Sequence, residues 1–195
     1  PTLTGDLTVQ VGGSSTTVGI VTNNGAISGS FGVIKTSPGT LVLTGNNTYS
    51  GETTVSAGNV IVKSTSKLGT DDVNVAGGAR LVLESTNSIA STANLLLNTS
   101  AIVTNNFTGT NSIGGLSFDG RATFQAGGTW GTTAVDHPNS VFFKGTGKLN
   151  VRNRTTTTTA GSSVNPSTYG QSVTFTATVS GSGGTPTGTI QFKTN

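Results

Sequence analysis

The sequence predicts an all-β chain: a β-solenoid of short stacked strands, followed by a second, smaller β module. Three observations carry the prediction. Charge is scarce while turn-forming residues abound, apolar triplets recur at a nearly constant step in two interleaved series, and the pattern changes character after residue 151.

Composition sets the first bounds. The 195 residues are 32% hydrophobic and only 9% charged, with 29 glycines, whereas an average soluble domain carries about 25% Asp, Glu, Lys and Arg. Thr, Ser and Asn must therefore wet the surface, and these residues suit strands and turns. Disorder is not expected, because disordered chains combine low hydrophobicity with high net charge. The formal net charge is +3, but the ten basic residues are scattered from Lys35 to Lys193, and only Arg152 and Arg154 lie close together. Without a basic cluster interleaved with aromatics, nucleic acid is not an expected partner. Cysteine is absent, which excludes disulfides and thiolate metal sites and fits an exported protein. No apolar run approaches the roughly 20 residues of a membrane-spanning helix, so no membrane insertion by this segment is expected. The start at Pro1 has no signal-peptide pattern, as expected of a mature or excised segment.

The repeat lies in the spacing of the triplets. V-Q-V at 9, F-G-V at 31, T-T-V at 53, V-N-V at 73, L-L-L at 95, L-S-F at 116 and V-F-F at 141 are separated by 22, 22, 20, 22, 21 and 25 residues. G-I-V at 19, L-V-L at 41, V-I-V at 60, L-V-L at 81, A-I-V at 101 and A-T-F at 122 advance by 22, 19, 21, 20 and 21. Two series moving in step along one chain describe a coil with several strands per turn. Strands stack about 4.8 Å apart, so six or seven coils make a rod roughly 30 Å long. Alternation places Val9 with Val11, Val73 with Val75 and Leu116 with Phe118 on an inner face, and Gln10, Asn74 and Ser117 on the outer one. The intervening Gly and Asn residues tolerate the positive φ of tight corners. No window sustains a 3.6-residue period, so no helix is expected, and neither terminus shows an obvious cap.

Within this frame, "KTSPGTLVLTGNNTYSGETTVSAGNVIVKSTSKLG", from Lys35 to Gly69, closely resembles the autotransporter-associated β-strand repeat of bacterial passenger regions. Gly39, Leu41, Leu43, Gly45, Asn47, Tyr49, Gly51, Thr53, Ala57 and Gly58 occupy the matching positions. The likeness extends through "VNVAGGARLVL" to Leu83; beyond that only the periodicity continues. At Asn59-Val60 the family usually has a small polar residue and Leu, a difference that preserves the strand. The resemblance implies a right-handed parallel β-helix on an exported protein, outside the cell or on its surface.

The solenoid is expected over residues 1–151. Residues 152–195 form a linker and a second module: five threonines from Thr155 to Thr159 favour extended chain, and "QSVTFTATVS" alternates Val173, Phe175, Ala177 and Val179 against Thr and Ser. "GTIQFK" offers another strand, with a Gly-Ser-Gly-Gly-Thr-Pro turn between the two. N-P-S-x-Y-G-Q at Asn165 to Gln171 and P-T-G-T-I-x-F at Pro186 to Phe192 resemble the start of a bacterial immunoglobulin-like repeat. Such a β-sandwich takes about seven strands and about 100 residues, so the module is expected to be partial. It is either cut from a longer polypeptide or completed by a strand of another chain.

Candidate chemistry is sparse. His137 stands in A-V-D-H-P-N-S, where Asp136 and Ser140 invite a triad, but no G-x-S-x-G elbow accompanies them and Pro138-Asn139 mark a turn. A surface-loop histidine is expected. The seven acids are Asp6, Glu52, Asp71, Asp72, Glu84, Asp119 and Asp136; Asp71 and Asp72 are adjacent and so face opposite ways, while stacking could juxtapose others, such as Glu52 and Asp71 or the turn residue Asp119. Corner solvation is the expectation. No calcium-binding nonapeptide repeat is present. Tyr49 and Trp130 are candidates for sugar stacking or corner packing, and Asn46, Asn47, Asn105 and Asn106 for ladders or turns along the stack.

These features point to a structural or adhesive stalk rather than an enzyme, with no catalytic, cofactor or metal residues assigned. Expected partners are further copies of the chain, by end-to-end or strand-exchange assembly, and host or matrix glycans or surface proteins. The alternatives are a subunit of a self-assembling extracellular filament and, third, a carbohydrate-active β-helix enzyme.

Overall fold

The structure, a computed structural model, describes residues 2–14, 17–153, 156–181 and 189–193. It divides into two compact units, Pro1–Arg152 and Asn153–Asn195. No described residue is helical.

The first unit is a parallel coil. One six-stranded sheet stacks Leu7–Gln10, Val33–Thr36, Thr53–Val55, Val73–Val75, Asn94–Leu97 and Gly115–Ser117; a second stacks Ile20–Asn23, Thr40–Leu43, Asn59–Val62, Arg80–Leu83, Ile102–Asn105 and Phe143–Gly145. Within each sheet every strand pairs in parallel with the one a coil away, while the two sheets alternate along the chain. A third side is more irregular. Backbone bonds such as Thr48 N to Ile27 O and Thr70 N to Tyr49 O join its successive turns, and Thr110–Ile113 pairs in parallel with Lys148–Val151.

Period-two alternation fills the interior, with Val33, Thr53, Val73, Leu95 and Leu116 in one inner column and Leu41, Val60, Leu81, Val103 and Phe143 in another. All are buried. Each such leucine or valine contributes about 1.5–3 kcal/mol of apolar burial. The corners require glycine where coils touch. Gly58 has φ +69°, and a Cβ there would lie 2.3 Å from the Gly39 carbonyl oxygen; a Cβ on Gly69 would strike the Tyr49 ring at 2.4 Å.

Three sequence expectations are corrected. F-G-V at 31 lies two residues ahead of its strand, Val33–Thr36, which puts Lys35 on the inner face. V-F-F at 141 does not continue the first sheet; Phe143–Gly145 pairs with Val103–Asn105 in the second. A-T-F at 122 is no strand of that sheet, and Phe124 makes an antiparallel bridge to Ser117. The reason is a detour: after Ser117 the chain leaves the coil and rejoins it near Phe142.

That detour closes the C-terminal end of the coil, where no cap was expected. Gly128–Gly131 pairs antiparallel with Lys148–Val151 and carries His137–Pro138 on its other edge. Gln125 N donates to Leu116 O, and the Thr132 hydroxyl donates to Gly145 O. Phe118 stacks on Phe142 at 4.4 Å and meets Trp130 and Phe143 edge-on at 5.4 and 6.2 Å. Aromatic rings thus cover the last coil, and the added strand satisfies backbone groups that an open edge would expose.

In the second unit Thr156–Ser162 pairs antiparallel with Phe175–Gly181, Thr159 facing Thr178. Phe175 is 64% exposed and 6.4 Å from Phe192. A two-stranded ribbon is present among the described residues and no second sheet faces it. Arg154, Thr155, the Ser182–Pro186 part of the expected turn, and the first residues of P-T-G-T-I-x-F through Gly188 lie outside the described residues; Thr189–Lys193 is not strand.

Candidate functional site

The acids cluster only where the coil stacks them. Asp6, Glu52 and Asp72 each immediately precede a strand of the first sheet, so stacking sets them on one side of the molecule. Gly32 fills the same position in the coil between Asp6 and Glu52. Asp6 Oδ1 accepts from Gly32 N at 2.9 Å, and Asp72 Oδ1 accepts from Asn94 N and Nδ2 at 2.8 and 2.9 Å. Arg121 joins the column from the detour: its guanidinium lies 2.5 Å from Glu52 Oε2 and 3.1 Å from Asp72 Oδ2. Asp72, and not its exposed neighbour Asp71, is therefore the acid that stacking brings to Glu52. Beside them opens a cleft of about 300 Å³, lined by Asp6, Ser30, Phe31, Ile34, Glu52 and Thr54 among others.

Acid–base hydrolysis of a glycosidic bond takes two carboxyls in opposed states, one of them holding a proton. Here both carboxylates pair with one guanidinium, which makes the trio an ion-pair brace. Asp119 is likewise engaged. Its oxygens accept from the Ser117 hydroxyl at 2.6 Å, from the Thr123 hydroxyl and from Thr123 N, and these bonds lower its pKa to about 2. The carboxylate ties the 117–123 turn together. The remaining acid of the coil, Glu84, pairs with Lys63 at 2.9 Å.

The histidine expected in a surface loop lies instead half-buried on the strand His137–Pro138, and it assembles no triad. Asp136 Oδ2 accepts from Thr129 N and Oγ1, both at 2.8 Å, which lowers its pKa, with a smaller contribution from the neighbouring His137. The imidazole stacks on Trp130 at 4.2 Å, with Nε2 3.4 Å from Gly127 O, while Ser140 gives its carbonyl oxygen to Lys144 Nζ. Trp130 is 8% exposed and its Nε1 donates to Ala126 O. Tyr49 is wholly buried, its hydroxyl 2.6 Å from Thr53 Oγ1, and burial raises its pKa. Of the two readings for these aromatics, the buried positions are those of packing.

Several polar residues work inside the coil. Asn47 Oδ1 accepts from Ile27 N while its Nδ2 donates to Lys67 O and Gly45 O; Asn111 repeats the device on Ile89 N and O. These side chains stand in for backbone pairing on the irregular third side. Asn46 bridges Lys67, Asn106 is exposed, and Asn105 is buried with neither amide atom bonded. No side-chain ladder links the four. Lys35, 1% exposed, has no carboxylate partner among the described residues; its Nζ donates to the carbonyls of Thr36, Ser37 and Ala57 at 2.6, 2.7 and 3.2 Å. Burial lowers its pKa. Sequence reasoning missed Lys35, Asn111 and Arg121. Only Asn111 left a trace, lying 64 residues, about three coils, beyond Asn47.

The family model described as Passenger-associated-transport-repeat matches residues 33–62. The matched span runs from the first residue of Val33–Thr36 to the last of Asn59–Val62, four strands of two successive coils. The Adhesin BmaC autotransporter of Brucella suis biovar 1 (strain 1330) is 38% identical over 95 residues, which are 46% of this chain and 3% of that protein. This chain thus corresponds to a small part of that relative. No solved structure matches. The two coils over residues 33–62 are similar in sequence to the passenger-associated repeat.

Proposed function

We propose that the chain is a structural and adhesive segment of a bacterial surface or secreted protein, a right-handed β-helical stalk within a longer passenger. One observation carries this reading: the passenger-repeat match coincides with complete strands of the coil, so the sequence likeness and the stacked architecture describe the same residues. The adhesin relative supports the adhesive part and the location outside the cell. Residues 152–195 serve as a linker and the opening of an immunoglobulin-like module, a role supported by the antiparallel ribbon and its alternating Phe175, Ala177 and Val179. Host or matrix glycans or surface proteins are the partners such a stalk would meet. The closed C-terminal end of the coil disfavours a filament built by stacking through that end.

The test is display. The chain, fused between an export signal and an outer-membrane translocator, is expected to become protease-accessible on intact cells and to raise bacterial attachment to matrix-coated surfaces. Surface display without added attachment would remove the adhesive role and leave the stalk. A folded chain retained inside the cell would remove both.

A further inference from the structure

We propose that Arg121 is the bolt of a detachable strap, residues 119–123, which covers the outer face of the first sheet and opens when its two ion pairs are screened or removed. The starting point is a contradiction in burial. Leu96 belongs to the outward column Thr54–Asn74–Leu96–Ser117, yet it is wholly buried. The strap accounts for this. Arg121 N donates to Ser117 Oγ in the last coil of that column, while its guanidinium holds Asp72 two coils back and Glu52 three coils back. Its side chain therefore passes the coil in which Leu96 lies. Gly120 N donates to Leu97 O, which lays the turn against the same strand.

Two further observations make the strap a switch rather than a fixed part of the coil. Arg121 has φ +111°, a conformation disfavoured for any residue with a Cβ, which persists only where the surroundings enforce it. Beside the Arg121 N and Gly120 N bonds, two ion pairs hold it there; the Arg121 side chain is 50% exposed, and pairs of that kind weaken with salt. Loss of the pairs removes what holds the guanidinium to the neighbouring coils, which favours opening. The turn itself stays organised by Asp119, and it therefore swings as a unit. Once lifted, it leaves Leu96 and the outer face of Asn94–Leu97 accessible.

Hydrogen exchange, read by mass spectrometry at peptide resolution, tests this. Arg121→Gln keeps the side-chain length and removes the charge. At low salt it is expected to raise exchange over 94–98 and 117–125 at least tenfold, with 59–62 and 80–83 unchanged. The wild-type chain in about 1 M sodium chloride should approach the same pattern, while Lys63→Gln, which breaks the Lys63–Glu84 ion pair, should not alter 117–125. Equal protection of 117–125 in Arg121→Gln and wild type at low salt would overturn the proposal. If Arg121→Gln does not fold, the salt titration of the wild-type chain decides it: unchanged protection over 117–125 refutes the strap.

Discussion

Asn105→Leu should stabilise the coil, although it replaces a polar residue with an apolar one in a chain rich in asparagine. Asn105 is wholly buried in the inner column of Leu43, Val62 and Leu83, and neither its Oδ1 nor its Nδ2 has a hydrogen-bond partner. A buried amide without partners costs about 1–3 kcal/mol by protein mutational measures. Leucine keeps the four side-chain heavy atoms and the γ-branching, but its methyl groups are bulkier than the amide atoms, so repacking takes back part of the gain. The expected gain is therefore at most about 1–3 kcal/mol. For a unit of this size that corresponds to a rise in Tm of roughly 2–12 °C. The assay is thermal and urea unfolding followed by circular dichroism, with exchange of amides 102–105 as a local readout, because solenoid coils interact mainly with their neighbours. An unchanged or lowered midpoint, with slower exchange absent at 102–105, would show that the amide is satisfied in solution and that the cost assigned to it does not exist.

Two further outcomes test other parts of the structure. Leu43→Asp places a carboxylate at a wholly buried position between Asn23 and Val62 of the inner column and should cost several kcal/mol, because the charge is unpaired there; unchanged thermal unfolding would remove Leu43 from the core. Asp119 has its pKa lowered to about 2 by bonds from Ser117 and Thr123, so the turn it organises is fully stabilised above its ordinary value near 4 and loses that support as pH falls toward 2. Carboxyl-carbon NMR should place its titration midpoint near 2, and a midpoint near 4 would dissolve the turn's hydrogen bonds.

Much of the coil was legible because its two periods are independent and agree. Alternation within Val73–Val75 or Arg80–Leu83 gives the face, and the step of about 21 residues gives the stacking partner, so both the register and the inner columns follow from counting. Counting fails where the chain leaves the coil. V-F-F at 141 keeps almost the right spacing, yet the detour after Ser117 returns the chain to the other sheet, a change of face that spacing cannot register. Lys35 was illegible for another reason: alternation by residue type sends lysine outward, whereas its long stem lets the ammonium reach corner carbonyls while the methylenes lie in the core. The Arg121 brace joins residues 69 and 49 positions apart through a turn whose path depends on Ser117 and Asp119, so no local pattern announces it.

Lys35 also poses the sharpest question about why a passenger-like coil would hold a charge inside. Its three carbonyl acceptors belong to two successive corners, Thr36 and Ser37 in one coil and Ala57 in the next, so the ammonium ties them together where Ser37 adopts φ +67°. The arrangement is not free: burial lowers the lysine's pKa. In the window between that lowered value and about 10.4, the unfolded chain holds the proton and the folded chain has released it, so stability rises with pH there. Below the window both states are protonated and the burial cost is constant. Tyr49 acts in the opposite sense above about pH 10, since its raised pKa lets the unfolded chain ionise first. Comparison with Lys35→Met cancels that contribution. The substitution keeps an unbranched apolar stem but leaves the three carbonyls without the donor, so at neutral pH it should lower stability by about 1–3 kcal/mol. Relative to Lys35→Met, the wild-type chain should then become more stable as the pH is raised from 8 to 10.5, as measured by urea midpoints at constant m. A difference that stays flat or shrinks over that range would mean that the ammonium is solvated rather than buried, and that the corners hold their shape without it.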